Sequence, residues 1–121
     1  MARILIAEDD DSVRAFVARA LTMDAHETVE ATDGEEGLEL LADGGGFDLL
    51  LSDIRMPGLD GIALARRAAK VCPDMAILLM TGYADQREKA DDLDGIVTDV
   101  ILKPFTLAQI RSRVGAALTR H

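Results

Sequence analysis

The sequence predicts an α/β fold, in which helices cover both faces of a parallel β-sheet. Five short apolar runs alternate along the chain with five longer segments of helical period, which is the pattern of such a fold. The chain has 121 residues, of which 49% are hydrophobic, so it can form one compact core. No linker or low-complexity segment interrupts the pattern, and we expect one domain over residues 1–121 with no output domain.

Each apolar run is short and apolar enough for a mostly buried strand. The predicted strands are Arg3 to Ala7, Thr28 to Ala31, Leu49 to Ser52, Ala76 to Met80 and Asp99 to Leu102. Between them lie five predicted helices, of which the fourth has the weakest apolar period. They are Ser12 to Met23, Gly34 to Ala42, Gly61 to Val71, Asp85 to Leu93 and Leu107 to Leu118.

The first helix shows the helical period most clearly. Its apolar positions recur at three- and four-residue spacing, which predicts one buried stripe. The stripe consists of Val13, Phe16, Val17, Ala20 and Leu21. Asp10 or Asp11 can cap the start of this helix, and Thr106 can cap the start of the last one.

Composition excludes several classes of function. The net charge of −9, from 22 acidic and 13 basic residues, disfavours contact with nucleic-acid phosphates and anionic lipid headgroups. No run approaches the roughly 20 apolar residues of a membrane span, and the apolar stretch at the start is too short for a secretory signal. Cys72 is the only cysteine, so no intramolecular disulfide can form. We expect a cytoplasmic protein without nucleic-acid or membrane partners.

Polar side chains follow four of the five apolar runs. Glu8 and Asp9 come after the first run, Asp53 after the third, Thr81 after the fourth and Lys103 after the fifth. The carboxyl ends of parallel strands meet at one edge of a sheet, where open α/β sheets bind their ligands. The sequence therefore predicts that three carboxylates, a hydroxyl and an ammonium converge.

Carboxylates that crowd together repel one another, and a hard dication with oxygen ligands relieves this repulsion. Mg²⁺ suits such a site because it is held by few carboxylates and leaves positions open for phosphate oxygens. Asp53 would then be the nucleophile that accepts a phosphoryl group. Taken singly, Glu8 and Asp9 could be solvated caps, and Asp53 could begin a turn before Met56-Pro57-Gly58. The prediction rests on their joint placement.

These residues resemble the receiver domains of bacterial two-component response regulators, over essentially the whole chain. The matching segments are Glu8-Asp9, Asp53-Ile54-Arg55-Met56-Pro57 with Asp60-Gly61, Thr81-Gly82 and Lys103-Pro104. The resemblance implies a flavodoxin-like, doubly wound sheet of five parallel strands in the order 2-1-3-4-5, with five flanking helices. It also implies a cis peptide bond at Lys103-Pro104.

The resemblance further assigns a role to each site residue. Asp53 would take a phosphoryl group from a histidine kinase or a histidine phosphotransfer protein. Mg²⁺ would be held by Asp9, Asp53, a water-mediated Glu8 and the main-chain carbonyl of Arg55. Thr81 and Lys103 would bind the phosphate. The chain would thus be a signalling switch that catalyses only its own phosphorylation and dephosphorylation.

One position departs from the family pattern. Many receivers carry Tyr or Phe three residues before the lysine, as an aromatic switch, and here that residue is Val100. Tyr83 could replace it as a gate over the phosphate, or it could shield the site statically. The output face is expected on the fourth helix, the fifth strand and the last helix, with residues 85–97 as the element that moves.

Within the family, the chain resembles the CpdR type of single-domain receiver. The likeness rests on Arg3 to Asp10, Asp60 to Ala68, Thr81 to Ala84 and Val100 in place of the aromatic. It implies a downstream protein target, with the ClpXP protease as the candidate.

Three other interpretations remain. The chain could be the receiver module of a hybrid histidine kinase or another larger regulator. A Mg²⁺-dependent aspartyl phosphohydrolase of the haloacid-dehalogenase kind needs an acid two residues after the nucleophile, where this chain has Arg55. A flavin carrier needs aromatic stacking walls, and aromatic residues make up only 3% of the chain.

Overall fold

The computed structural model describes residues 1–43, 45–82 and 95–120, and within them it contains five strands and four helices. The strands are β1 (Arg3–Ala7), β2 (Glu27–Ala31), β3 (Leu49–Asp53), β4 (Ala76–Thr81) and β5 (Asp99–Leu102). The helices are α1 (Asp11–Thr22), α2 (Gly34–Ala42), α3 (Gly61–Val71) and α4 (Leu107–Arg120). The predicted helix over 85–93 and Tyr83 lie outside the described residues, and so do the predictions made for them.

All five strands run parallel, in the order β2-β1-β3-β4-β5, as expected from the resemblance. The side chains of β1, β3, β4 and β5 alternate between two cores, because successive residues of a strand point to opposite faces. In β1, for example, Leu5 and Ala7 belong to the core under α2 and α3. Ile4 and Ile6 belong to the core under α1 and α4. Strands β1, β3 and β4 are therefore largely buried on both faces, as predicted. The prediction of a mostly buried strand is wrong for the edge strand β2, in which Glu27 and Glu30 are exposed and only Ala31 is buried.

The helix starts are fixed by side-chain caps. Asp10 accepts hydrogen bonds from the backbone N–H groups of Ser12 and Val13 and is the N-cap of α1. Thr106 Oγ1 accepts a hydrogen bond of 3.0 Å from the Gln109 N–H at the start of α4, as predicted.

The prediction of one buried stripe on α1 is wrong for Phe16. Val17, Ala20 and Leu21 are buried, whereas Phe16 is 37% exposed. Its ring lies beside that of Phe105, with the centroids 6.1 Å apart, at the margin of the core. The helical period predicts which side of a helix faces the protein, but the partner at the edge of that side comes from a distant segment.

The carboxyl ends of β3 and β4 position two of the polar residues, Asp53 and Thr81. The prediction ended β3 at Ser52 and β4 at Met80, but the strands continue to Asp53 and Thr81. Both of these polar residues are therefore held inside the sheet, with exposures of 7% and 1%.

In the described part of the chain, no helix is long and apolar enough to cross a membrane.

Candidate functional site

The strand register brings the sequence-predicted residues to one edge of the sheet. Ala7 is paired with Ser52 across β1 and β3, so the residues that follow, Glu8 and Asp53, lie side by side. Thr81 is paired with Leu102 across β4 and β5, so Lys103 begins the loop next to it.

Three carboxylates form the centre of this site. Single oxygens of Glu8, Asp9 and Asp53 all lie within 4.8 Å of one another. Glu8 is fully buried and Asp53 nearly so, whereas Asp9 is exposed, which leaves the cluster open to solvent on one side. An all-oxygen donor set of this kind suits a hard divalent cation such as Mg²⁺. The geometry shows a cluster that could hold a metal ion.

Lys103 is the cation that balances part of this charge. Its Nζ donates hydrogen bonds to Glu8 Oε1 at 2.9 Å and to Asp53 Oδ2 at 3.1 Å. One ammonium thus bridges two carboxylates that are 45 residues apart in the sequence and belong to neighbouring strands. The cluster contains a third acid, Asp9, and the groove above it is lined in all by four acids and two bases. The site carries excess negative charge, which favours a further cation.

Burial and neighbouring charges change the ionisation of both partners. Burial raises the pKa of Glu8 to about 7, and the nearby Asp53 carboxylate adds to the rise. The hydrogen bonds from Lys103 and from the Asp10 backbone lower the pKa, but they offset the effect of burial only in part. Burial alone would lower the pKa of Lys103, but the hydrogen bond to Glu8 and the charge of Asp53 outweigh it and raise that pKa. Lys103 is therefore charged at neutral pH, while Glu8 takes up a proton readily.

Arg14 supports the site in a way that the sequence did not indicate. Its Nη1 donates to the main-chain carbonyl of Glu8 at 2.8 Å, and Nη2 donates to Asp11 at 2.6 Å. Its Nε lies 3.3 Å from Glu30 Oε1 on β2. Arg14 therefore ties the end of β1 to α1 and β2. No local pattern in the sequence predicts this contact between α1 and a neighbouring strand.

Gly61 explains why a glycine follows Asp60 at the start of α3. A Cβ at position 61 would lie 2.0 Å from the main-chain oxygen of Asp53, which is far inside van der Waals contact. The Gly61 N–H also donates to the Ile54 carbonyl at 2.8 Å. Helix α3 can therefore begin directly against the backbone that carries Asp53.

An open groove of about 480 Å³ lies above the carboxylates. It is lined by Glu8, Asp9, Asp10, Asp53, Arg55, Gly82 and Lys103. All four residues predicted as metal ligands, Glu8, Asp9, Asp53 and Arg55, therefore line a space large enough for a metal ion and a phosphoryl group. Thr81 is buried at the end of β4 beside this groove and does not line it.

Comparisons with known proteins agree with this geometry. Residues 4–115 match the response regulator receiver domain family. This chain belongs to that family. The Lys103–Pro104 peptide bond is cis, as the resemblance implied.

A curated relative of this receiver is the response regulator receiver protein CpdR of Brucella abortus, which is 38% identical over 114 residues and matched over 94% of both chains. Mycobacterial MprA response regulators also match, at 34% identity, and the receiver spans about half (51%) of their length.

Solved receiver structures superpose closely on the chain. A CheY-like receiver of Methanospirillum hungatei is 28% identical, with a TM-score of 0.91 and coverage of 99% of this chain and 95% of that one. TrrA of Thermotoga maritima, solved in complex with Mg²⁺ and BeF, is 28% identical, with a TM-score of 0.87 and coverage of 97% and 99%. The chain is thus a receiver of two-component systems, and this family acts in signalling.

Proposed function

We propose that this receiver is a switch that accepts a phosphoryl group on Asp53, with Mg²⁺ held by Asp9, Asp53, the Arg55 carbonyl and, through water, Glu8. The observation that supports it most is the Asp53 carboxylate, which is buried, belongs to the three-acid cluster and touches Lys103. Glu8 shares these properties, and the match to the receiver family is what favours Asp53 as the phosphoacceptor. Bound Mg²⁺ supplies positive charge to the phosphate oxygens and offsets the repulsion between phosphate and carboxylates.

The residues of the chain perform distinct parts of the transfer. An Asp53 carboxylate oxygen attacks phosphorus, a P–O bond forms, and the P–N bond of a phosphohistidine donor breaks while the leaving imidazole takes up a proton. Lys103 already contacts Asp53 and can follow the negative charge onto the phosphoryl oxygens. Thr81, at the end of β4, would donate a hydroxyl hydrogen bond to the same group.

The phosphoryl donor is proposed to be a histidine kinase or a histidine phosphotransfer protein. An apolar depression of about 330 Å³ adjoins Lys103 and is lined by Val13, Phe16, Pro104 and Phe105 together with Ser12. A helix of the donor could bury apolar side chains there and so place its histidine over the groove. The partly exposed Phe16 ring is the natural anchor.

The downstream partner is proposed to be a protein contacted by the receiver itself, with ClpXP as the candidate. The CpdR relative is matched over nearly its whole length, which favours a receiver that acts without an attached output domain. The MprA relatives are about twice as long, and they favour the second candidate, a receiver module of a larger regulator or hybrid kinase.

Intact-protein mass spectrometry with acetyl phosphate and Mg²⁺ tests the phosphoacceptor. We expect the mass of one phosphoryl group on the wild type, none on Asp53→Asn, and normal labelling of the matched control Asp74→Asn, which changes an exposed acid away from the site. Labelling that persists in Asp53→Asn contradicts the proposal. A pull-down with wild type, Asp53→Ala and the beryllofluoride complex then identifies the partner and the phosphorylation state that binds it.

A further inference from the structure

The groove between α2 and α3 has charges of opposite sign on its two sides. Helix α2 contributes the exposed acids Glu35 and Glu39, and α3 contributes the exposed Arg67. Leu38 and Leu59 form part of its apolar floor, and its volume is about 540 Å³. It lies on the face of the sheet opposite to α1 and α4, away from the apolar depression at Phe16.

The charge separation extends along both helices. The sequence of α2, Gly34–Ala42, contains three glutamates and no basic residue, and that of α3, Gly61–Val71, contains three basic residues and no acid. Arg66, Arg67 and Lys70 are all exposed. Among residues 1–43, 45–82 and 95–119, none of the three forms an ion pair. This patch of unpaired positive charge, on a protein of net charge −9, is complementary to a negatively charged partner surface.

We propose that this face binds a second copy of the chain, with α2 of each protomer against α3 of the other. A two-fold axis through the groove brings Arg67 of one copy to Glu39 of its partner, and the same contact is made a second time by symmetry. A purely acidic partner would use only the α3 side, and a purely basic one only the α2 side. A second copy complements both sides at once.

The dimensions of the face predict a weak dimer. Helices of 9 and 11 residues are about 14 and 16 Å long, so the patch is well below the ~800 Å² per partner of a standard stable interface. We expect a dissociation constant on the order of 100 μM. The −9 charges of the two copies repel each other over distance, but at about 0.15 M salt the Debye length of about 8 Å screens that repulsion more than the close Arg67–Glu39 pairs.

Sedimentation equilibrium of the whole chain, from micromolar to about 1 mM at 0.15 M salt, tests the dimer. Glu39→Arg gives a copy that carries Arg at 39 and 67, and Arg67→Glu gives a copy that carries Glu at both positions. Each variant alone places like charges at both contacts, and we expect its dissociation constant to rise at least about tenfold. An equimolar mixture restores opposite charges at both contacts, and we expect the mixture to associate as the wild type does.

Arg19→Glu is the matched control, because Arg19 is an exposed cation on α1 outside the groove. It should leave the wild-type association unchanged. Three outcomes would each overturn the proposal: a wild type that stays monomeric up to about 1 mM, single variants that associate as the wild type does, or a mixture that associates no better than its components. Loss of fold in one variant cannot imitate the expected result, because an unfolded component would not restore association in the mixture.

Discussion

Leu50 in the middle of the sheet and Asp53 at its carboxyl edge are both buried, yet they are stabilised in different ways. Leu50 in the middle of β3 has no exposed surface and belongs to the apolar core under α2 and α3. Asp53, three residues later in the same strand, is 7% exposed and depends on the Lys103 ammonium. Apolar burial stabilises the middle without any dependence on the ionisation of side chains or on bound cations. The edge depends on charge balance, so its stability changes with pH, cations and phosphorylation.

This difference has a functional consequence. An edge that holds three acids with one lysine carries excess negative charge, and a bound metal ion can supply the missing positive charge. Removal of an apolar side chain from the middle should lower the free energy of unfolding, whereas removal of one acid from the edge should raise it.

Leu50→Ala should produce the largest effect on stability. Removal of a fully buried leucine side chain leaves a cavity in the core under α2 and α3, and the free energy of unfolding should fall by about 2–5 kcal/mol. Urea denaturation followed by circular dichroism measures this loss. Leu102→Ala, at a site that is 41% exposed, is the control and should cost much less. Equal losses at both positions would contradict the distinction between buried and exposed strand positions.

Lys103→Met should destabilise the edge by about 1.5–3 kcal/mol at pH 7.5 without Mg²⁺, because Glu8 and Asp53 lose the hydrogen-bonded cation that they share. The loss should be smaller with saturating Mg²⁺, which stabilises the folded state by binding to it. It should also be smaller at pH 5, where Glu8 is protonated. Thermal unfolding under the three conditions measures it, and an equal loss in all of them would mean that Lys103 acts only through packing.

Mg²⁺ affinity should fall about tenfold per pH unit as the pH drops below 7, because Glu8 must lose its proton to contribute negative charge. The free energy of unfolding of the metal-free protein should change with pH in the opposite direction, and rise as the pH drops. The pKa of Glu8 is raised on folding, so its contribution to stability is present below about pH 4.5 and is lost as the pH rises through about 7. Calorimetric Mg²⁺ titrations between pH 5.5 and 8 check the first sign. Glu8→Gln should flatten both profiles, and unchanged profiles would assign them to another group.

Asp53→Asn should have the smallest effect and the opposite sign to Leu50→Ala. It removes a like charge next to buried Glu8, and the metal-free protein should gain about 1 kcal/mol. The pKa of Glu8 should fall at the same time, which side-chain carboxyl NMR can measure. A loss of stability at neutral pH would indicate that the hydrogen bond from Lys103 outweighs the repulsion.

Much of the fold and most of the site could be predicted because both depend on local pattern. Each strand had an apolar run of suitable length, and Glu8, Asp53, Thr81 and Lys103 all follow or end such runs. Contacts between distant segments could not be predicted. The hydrogen bond from Arg14 to the Glu8 carbonyl and the exposure of Phe16 beside Phe105 depend on how α1 lies against β2 and the loop after β5.

The sequence by itself determined the alternation of strands and helices, the starts of α1 and α4 and the chemical types gathered at the strand ends, because periodicity and capping act over a few residues. Only the tertiary structure decided how close the carboxylates lie, that Lys103 bridges two of them, and that burial moves the pKa of Glu8 towards neutrality. These properties depend on distances and on the exclusion of water between segments that are far apart in the chain, and no local pattern records either.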